Sequence, residues 1–248
     1  MASGLSGFLL KIRKAETPFY ARLKKLILAL AITEVPMPGF TRPLWSLLYH
    51  LRMMVPEVWR RLLSVAYRIP LFKSQCAQVG RRLYLEQIPH ISGKVKLILG
   101  DDVNISGHFS VRAGRTFEDP EIILGNKVFV GHQVTMQVAK RIEIEEGAAL
   151  AAGCYVTDND GHPLDIAARL RKEPVAPEEV MPVRIGRHAW IGRGSSIMKG
   201  VTIGEFAIVG VNSVVISDVP AYSIAMGNPA RVVKKMPPPD PPPGPVLG

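Results

Sequence analysis

The sequence predicts a mainly β protein, a parallel β-helix solenoid of triangular coils that follows an α-helical extension. Residues 185–219 repeat with a period of six, which fits neither a helix nor a two-faced strand and is typical of a solenoid. Residues 1–90 instead show helical patterns rich in basic side chains. A polar stretch over residues 157–184 interrupts the repeat and predicts a long loop, which is usually functional in a compact domain.

Each hexad of the repeat predicts one short strand and a turn. An aliphatic residue opens every hexad and is expected to point into the core; these are Ile185, Ile191, Ile197, Ile203, Val209 and Val215. Four residues later comes a small or β-branched residue that fits the corner of the coil; these are Ala189, Ser195, Val201, Ala207, Ser213 and Val219. Since three hexads close one triangle, neighbouring coils stack and share a continuous core.

The predicted organisation has three parts. Residues 1–90 form a basic amphipathic helical extension, and residues 91–236 form the β-helix with its loop at 157–184. Residues 237–248 read PPPDPPPGPVLG, which predicts a flexible extended tail. Helices are expected over 17–33, where Thr17 is the N-cap and Pro18 the first helical residue, and over 43–55 and 57–69, separated by Pro56.

The net charge of +10 belongs to the extension, since residues 1–90 hold 14 Lys and Arg against 4 Asp and Glu. Basic residues beside Trp- and Leu-rich helix faces are typical of a helix that lies on an anionic membrane. The same faces are equally typical of packing against the first coil or another subunit. No recognition module for nucleic acid accompanies the charge, so nucleic acid is not an expected partner.

Two cysteines, Cys76 and Cys154, provide no disulfide framework and suit a reducing compartment. No apolar run is long enough for a signal peptide or a membrane-spanning helix. The expected location is the cytoplasm. The basic helical extension is expected to add peripheral contact with the inner face of the membrane.

His162 is the candidate catalytic residue, because it lies in the long loop and its imidazole titrates near neutrality. It can serve as a general base that takes a proton from a hydroxyl. Asp158 or Asp160 could orient its ring, although both could instead only shape the turn. The alternative for His162 is a solvated loop histidine without a catalytic role.

The run from Trp190 to Arg231, which ends in the letters GNPAR, resembles the hexapeptide-repeat acyltransferases, above all the galactoside, maltose and polysaccharide O-acetyltransferases. The resemblance covers roughly residues 90–236. It implies a left-handed β-helix that assembles as a homotrimer, active sites between subunits, and acetyl-CoA as donor. A catalytic histidine in a His-Pro sequence matches His162–Pro163, which implies the base role for His162.

The resemblance also implies binding residues. The donor positions that line the groove or face the CoA phosphates are Trp190, Arg193, Val211, Ile216, Ser217, Arg231 and Lys234. An asparagine that contacts the sugar in the galactoside enzymes falls on Gly131, beside His132 and Gln133. The acceptor is therefore expected to differ from a free galactoside or maltose.

The expected function is transfer of an acetyl group from acetyl-CoA to a sugar hydroxyl of a lipid-linked or surface-polysaccharide precursor. One alternative is a γ-class carbonic anhydrase, but Gln137 stands where its second zinc-binding histidine would be, so no metal is expected. The other is a non-catalytic binding or scaffold protein, because the solenoid alone does not prove catalysis.

Overall fold

The structure is a computed structural model that describes residues 2–34 and 37–238. The chain divides into two compact units, Met1–Pro56 and Glu57–Gly248. The helices are α1 (Ala2–Lys14), α2 (Pro18–Ile32), α3 (Arg42–Leu63), α4 (Ile69–Lys73) and α5 (Ile166–Leu170). Short 3-10 turns lie at Gly39–Thr41 and Pro177–Glu179, and a π-helical turn occupies Ser64–Arg68. The predicted fold class, mainly β with a left-handed parallel β-helix and N-terminal helices, is confirmed.

The helix predicted over 17–33 is confirmed as α2. The Thr17 hydroxyl caps it by accepting from the backbone N–H of Tyr20 at 3.4 Å, and Pro18 opens it. Helix α1 was not predicted, and it packs beside α2 with the rings of Phe8 and Tyr20 at a centroid distance of 6.0 Å. The Lys24 ammonium donates to the carbonyl of Arg13 at 2.8 Å and joins the same two helices.

The prediction of two helices separated at Pro56 was wrong, because α3 runs through this proline to Leu63. An internal proline removes one backbone donor and crowds one carbonyl, which the helix tolerates when the residues on both sides favour it. None of the residues of α3 is buried. Its apolar face therefore remains uncovered within the part of the chain that the structure describes.

Within the described residues the β-helix has twenty short strands. They are β1 (Gln78–Val79), β2 (Tyr84–Leu85), β3 (His90–Ser92), β4 (Lys96–Leu99), β5 (Asn104–Ile105), β6 (Ser110–Ala113), β7 (Glu121–Leu124), β8 (Phe129–Val130), β9 (Thr135–Val138), β10 (Arg141–Ile144), β11 (Ala149–Leu150), β12 (Tyr155–Thr157), β13 (Val183–Ile185), β14 (Trp190–Ile191), β15 (Ser196–Ile197), β16 (Thr202–Ile203), β17 (Ile208–Val209), β18 (Val214–Val215), β19 (Ser223–Gly227) and β20 (Ala230–Lys235).

These strands form three sheets, the walls of a triangular prism, because each strand from β1 to β15 pairs in parallel with the one three positions further along the chain. Sheet 1 has the order β1-β4-β7-β10-β13-β16, sheet 2 the order β2-β5-β8-β11-β14-β17-β19-β20, and sheet 3 the order β3-β6-β9-β12-β15-β18. Only the last pair, β19 with β20, is antiparallel among these strands. Residues in register therefore stack in rows along each wall.

The core follows the hexads as predicted. The six aliphatic positions from Ile185 to Val215 are at most 1% exposed, and the six corner residues from Ala189 to Val219 are at most 3% exposed. All of them except Ser195 and Ser213 belong to one continuous apolar cluster with the aliphatic residues of the earlier coils. The cluster provides a rigid wall for outward-facing side chains.

The β-helix begins earlier than the expected boundary at residue 91. Val79, Leu85 and Ile91 are six residues apart and form the first coil, with Val79 beside Leu99 and Leu85 beside Ile105. Helix α4 covers the core at this end, since the side chain of Phe72 is 1% exposed within the core cluster. The segment after Glu57 is thus part of the β-helical unit.

At the other end, β19 and β20 form an antiparallel hairpin that ends sheet 2. The predicted tail at 237–248 lies outside the described residues except for Pro237 and Pro238.

The long loop lies between β12 and β13 and contains α5 and one 3-10 turn, as the break in the repeat predicted. A small apolar cluster of Val175, Val180 and Ala139, with Phe117 packed against it, fastens the loop to the coil. The Thr116 hydroxyl also donates to the carbonyl of Val175 at 2.8 Å. The loop is thus fixed at both ends and at its middle.

Candidate active site

A polar cleft of about 810 Å³ lies between the outer face of sheet 3 and the long loop. Sheet 3 and the turns beside it contribute one side, and the loop contributes the other. The lining residues that the site uses are Arg112, Arg115, Gln137, Tyr155, Asn159, Asp160, His162, Arg169, Lys172 and Glu173. This volume is within the range of small-molecule sites.

His162 lines this cleft, and its side chain is exposed. Its ring makes no hydrogen bond or ion pair with the described residues. Both ring nitrogens are therefore available to a substrate.

The residue immediately before His162 is a glycine with a positive φ. Gly161 has a φ of +78°, and a Cβ on it would lie 2.8 Å from the side-chain nitrogen Nε2 of Gln137. The φ favours glycine at this position, because other residues rarely adopt it.

Three polar side chains form a hydrogen-bonded chain below the histidine turn. The Tyr155 hydroxyl donates to Gln137 Oε1 at 3.2 Å, and Gln137 Nε2 donates to Asn159 Oδ1 at 2.9 Å. The same Asn159 oxygen accepts from the backbone N–H of Gly161 at 2.8 Å. The coil thus holds the residue next to His162 through side-chain contacts, which fixes the position of the candidate base.

Asp158 is fully buried, and its contacts match the turn-shaping alternative rather than orientation of the His162 ring. Its carboxylate accepts from the backbone N–H groups of Ala139, Lys140 and Arg141 at 2.7, 2.7 and 2.8 Å. Asn159 Nδ2 donates to it as well, at 2.8 Å. These hydrogen bonds join the start of the loop to the corner of the previous coil.

Asp160 lines the cleft, but it is paired with the ammonium of Lys199. Lys199 also donates to the carbonyl of Glu179 at 3.1 Å and so connects both ends of the loop to the coil. Neither Asp158 nor Asp160 contacts the His162 ring in this structure. Orientation of that ring by a carboxylate, expected as one alternative from sequence, is not what the contacts show.

Trp190 lies on the outer face of sheet 2 and lines a second, more apolar cleft of about 360 Å³. Three rings stack along one corner of the prism beside it. The His188 and Phe206 centroids are 4.9 Å apart, and those of Phe206 and Tyr222 are 5.2 Å apart. Ile208 and Met236 complete this aromatic cleft.

The remaining predicted donor residues are exposed and lie on several parts of the surface. Arg193 and Val211 stack at the corner after sheet 2, where the Asn212 N–H donates to the Arg193 carbonyl at 2.8 Å. Ile216 and Ser217 follow β18 at the next corner. Arg231 and Lys234 lie on β20. None of the predicted donor residues lines the cleft that contains His162.

The predicted acceptor residues lie at the corner after β8, outside the lining of the His162 cleft. Gly131 is buried, and a Cβ there would lie 2.8 Å from the backbone nitrogen of Ala152. Its neighbour His132 places Nε2 3.5 Å from the carboxylate of Glu86. Gln133 adopts a φ of +59° in the turn. Within one chain, these three residues therefore lie outside the cleft of the candidate base.

No group of three His, Cys, Asp or Glu side chains within residues 2–34 and 37–238 could hold a metal ion. Gln137, which stands in place of a zinc-binding histidine in the alternative interpretation, contacts Tyr155 and Asn159. No helix in the same residues is long and apolar enough to cross a membrane.

Sequence reasoning missed the residues of sheet 3 and the loop that complete the cleft, above all Arg112, Gln137, Tyr155 and Asn159. The register of the coils could have found two of them. Arg112, Gln137 and Thr157 are in register on adjacent strands, so Gln137 lies one coil and Arg112 two coils before Thr157, where the loop starts. The partners of Asn159 depend on the loop conformation, which no periodicity encodes.

Two groups of known proteins resemble this chain. The bacterial transferase hexapeptide repeat, described as six repeats, matches residues 182–217. The probable acetyltransferase Rv3034c of Mycobacterium tuberculosis is 31% identical over 63% of this chain and 49% of its own length. YJL218W of Saccharomyces cerevisiae, whose name also proposes an acetyltransferase, is 35% identical over 46% of this chain and 56% of its own length. The chain thus spans about half the length of these curated relatives.

Among solved structures, a single-residue mutant of AntD, an N-acyltransferase from Bacillus cereus in complex with dTDP and coenzyme A, superposes with a TM-score of 0.55. The match covers 68% of this chain and 90% of AntD at 18% identity, which shows a common fold. The chain therefore carries the bacterial transferase hexapeptide repeat, and its resemblance to the hexapeptide-repeat acyltransferases is confirmed.

Proposed function

We propose that this protein transfers an acetyl group from acetyl-CoA to a hydroxyl of a sugar acceptor, with His162 as the general base. The observation that carries the proposal is the position of His162, exposed in a polar cleft of about 810 Å³ with both ring nitrogens unoccupied. The names of the relatives support acetyl transfer, and coenzyme A in the AntD complex supports the donor. Lipid-linked or surface-polysaccharide precursors are the proposed acceptor class.

In this reaction the imidazole of His162 removes the proton of the acceptor hydroxyl as its oxygen attacks the thioester carbonyl. The tetrahedral intermediate collapses, the carbon–sulfur bond breaks, and the imidazolium returns the proton to the departing thiolate of CoA. Gln137 and Asn159 position the base for this step, because their hydrogen bonds hold the backbone of the residue before His162. A base held near both substrates raises the reaction rate through proximity as well as through proton transfer.

The donor site is proposed at the predicted positions around Trp190, Val211, Ile216 and Arg231, with Arg193, Ser217 and Lys234 beside them. Because none of them lines the His162 cleft of the same chain, we propose that a homotrimer completes each site with residues of a neighbouring copy. Gly131, His132 and Gln133 are proposed to face the acceptor in that assembly. Light scattering would then give three times the chain mass of 27.2 kDa.

The function is tested by release of free CoA from acetyl-CoA in the presence of sugar acceptors. We expect acceptor-dependent thiol release and an acceptor heavier by one acetyl group in mass spectrometry. Fragmentation of the product distinguishes an ester on oxygen from an amide on an amino sugar. The protein's own thiols contribute little background, because burial raises the pKa of Cys76 and of Cys154 to about 11. Absence of turnover with neutral, charged and amino sugars would favour a binding protein.

We further propose that α3 contacts an anionic membrane surface. Its large apolar side chains, among them Trp45 and Trp59, are exposed, and Arg52 and Arg61 lie on the same helix. Such a helix gains free energy from apolar burial and from attraction to acidic lipids.

The full chain is therefore expected to sediment with anionic vesicles at low salt and to remain in the supernatant with neutral ones. A Trp45→Ala/Trp59→Ala variant should bind roughly 100-fold more weakly, since two buried rings are lost. Trp190→Ala removes the remaining tryptophan and should bind vesicles like the unmodified protein. Equal sedimentation with neutral vesicles, or no sedimentation at all, would contradict a membrane role for α3.

A further inference from the structure

The rim of the His162 cleft carries four exposed cationic side chains, Arg112, Arg115, Arg169 and Lys172. None of the four has an ion-pair partner among residues 2–34 and 37–238. Arg115 donates Nη2 to the carbonyl of Lys172 at 2.9 Å, and Arg169 donates Nη1 to the carbonyl of Pro163 at 3.3 Å. These backbone contacts hold the two guanidinium groups without neutralising them.

The carboxylates of the same cleft do not balance this charge, because each already has a cation outside the lining. Asp160 is paired with Lys199, and Glu173 lies 2.6 Å from Nε of Arg171. The hydrogen bond from Arg171 lowers the pKa of Glu173, which keeps this pair ionised at neutral pH. The cleft therefore presents an excess of positive charge to whatever enters it.

Elsewhere on the β-helix surface many exposed cations have carboxylate partners, and those unpaired within the described residues, such as Lys96, Arg193 and Arg231, lie outside this cleft. The pairs are Arg81 with Asp101, Arg82 with Asp102, Lys94 with Asp119, Arg184 with Glu145, and Arg187 with Glu205. Cations that gather around one concave site repel one another and raise the local potential, which attracts an anionic ligand. The arrangement indicates a ligand whose charge replaces the missing carboxylates.

We propose that the acceptor sugar carries a phosphate ester, which binds to these four cations while its hydroxyl faces His162; this rests on the proposed function. Arginine guanidinium groups bind phosphate oxygens in a bidentate manner, and those of Arg115 and Arg169 are already held in place. A phosphate or diphosphate brings two or more negative charges toward four cations, whereas a sugar carboxylate brings one. A cleft of about 810 Å³ has room for a hexose together with its phosphate.

The first test measures binding without turnover. His162→Ala protein, saturated with CoA so that the donor site is occupied, is titrated in a calorimeter with glucose 1-phosphate, UDP-glucose, glucuronate and glucose. We expect the two phosphate esters to bind and glucose to give no heat. The phosphate ester that binds more tightly shows whether the acceptor carries a phosphate monoester, as glucose 1-phosphate does, or a diphosphate linkage, as UDP-glucose does. Glucuronate binding as tight as that of glucose 1-phosphate would overturn the choice of phosphate.

Arg112→Gln and Lys172→Gln are the informative variants, because neither side chain makes a hydrogen bond or ion pair that folding would lose. Each should weaken phosphate-ester binding about 10-fold, the effect of losing one charge-assisted hydrogen bond. Lys96→Gln, on sheet 1 outside the cleft, is the matched control and should bind like the parent protein. Unchanged binding in both cleft variants would overturn the proposal.

Steady-state kinetics then separate acceptor from donor. In the protein with His162 intact, Arg112→Gln should raise the KM for the phosphorylated acceptor about 10-fold and leave the KM for acetyl-CoA unchanged. A rise in the KM for acetyl-CoA alone would assign the cations to the donor and overturn the proposal. Phosphate-ester binding that depends on Arg112, without acyl transfer to any acceptor, would retain the anion site and reject the proposed function.

Discussion

Replacement of His162 by alanine is expected to lower kcat for acetyl transfer by about 10²- to 10⁴-fold, the usual contribution of a general base. The KM values for both substrates should change little, because the ring acts on the proton of the reacting hydroxyl rather than on the body of either substrate. The measurement is release of CoA with saturating acetyl-CoA and acceptor. Residual turnover would come from the two substrates held together in the cleft.

Loss of structure should not complicate this result. The His162 side chain is exposed and has no hydrogen bond within the described residues, so the thermal midpoint of His162→Ala should match that of the parent. His90→Ala is the matched control, since His90 is also exposed and lies on β3 outside the cleft lining. Full activity in His162→Ala, or an equal loss in His90→Ala, would remove His162 from the mechanism.

The coil architecture could be predicted because the period of six residues follows directly from the geometry of a triangular coil. One aliphatic side chain must point inward for each wall of the triangle, so the positions from Ile185 to Val215 identify the core. The first coil was missed although Val79, Leu85 and Ile91 keep the same spacing. Of its three aliphatic residues only Val79 is followed directly by a glycine, Gly80, and a two-residue insertion before Leu99 hides the phase.

Helix boundaries were harder to predict, as Pro56 shows. A proline lowers helix stability locally, but the favourable residues on both sides decide whether the helix ends or continues. The sequence shows that the proline lowers helix stability locally, but it does not show whether the flanking residues outweigh that loss. Continuation through Pro56 therefore required the three-dimensional structure.

For the site, the sequence predicted the loop and its histidine but not the partners of the nearby carboxylates. Asp158 is close in sequence to the turn with His162, yet its carboxylate faces the corner at residues 139–141. That corner belongs to the previous coil, so the contact depends on stacking of coils around the loop. The cationic rim has the same origin, because Arg112 and Lys172 come from the two separate sides of the cleft.

Replacement of Asp158 by alanine is expected to lower the free energy of unfolding by about 3–5 kcal/mol, since it leaves four buried or partly buried donors without their acceptor. Three are the backbone N–H groups of Ala139, Lys140 and Arg141, and the fourth is the side-chain amide of Asn159. For a chain of this size the thermal midpoint should fall by roughly 10 °C. Scanning calorimetry and urea unfolding measure the two quantities.

The matched control is Asp119→Ala, which removes an exposed carboxylate paired with Lys94 and should leave the thermal midpoint unchanged. Asp158→Asn retains one acceptor oxygen and the side-chain volume, so its stability should lie between those of the parent and the alanine variant. Because Asp158 joins the coil corner to the start of the loop, turnover should fall in the same order as stability. If Asp158→Ala abolished turnover while its stability stayed that of the parent, the carboxylate would act on the His162 ring itself rather than through the turn.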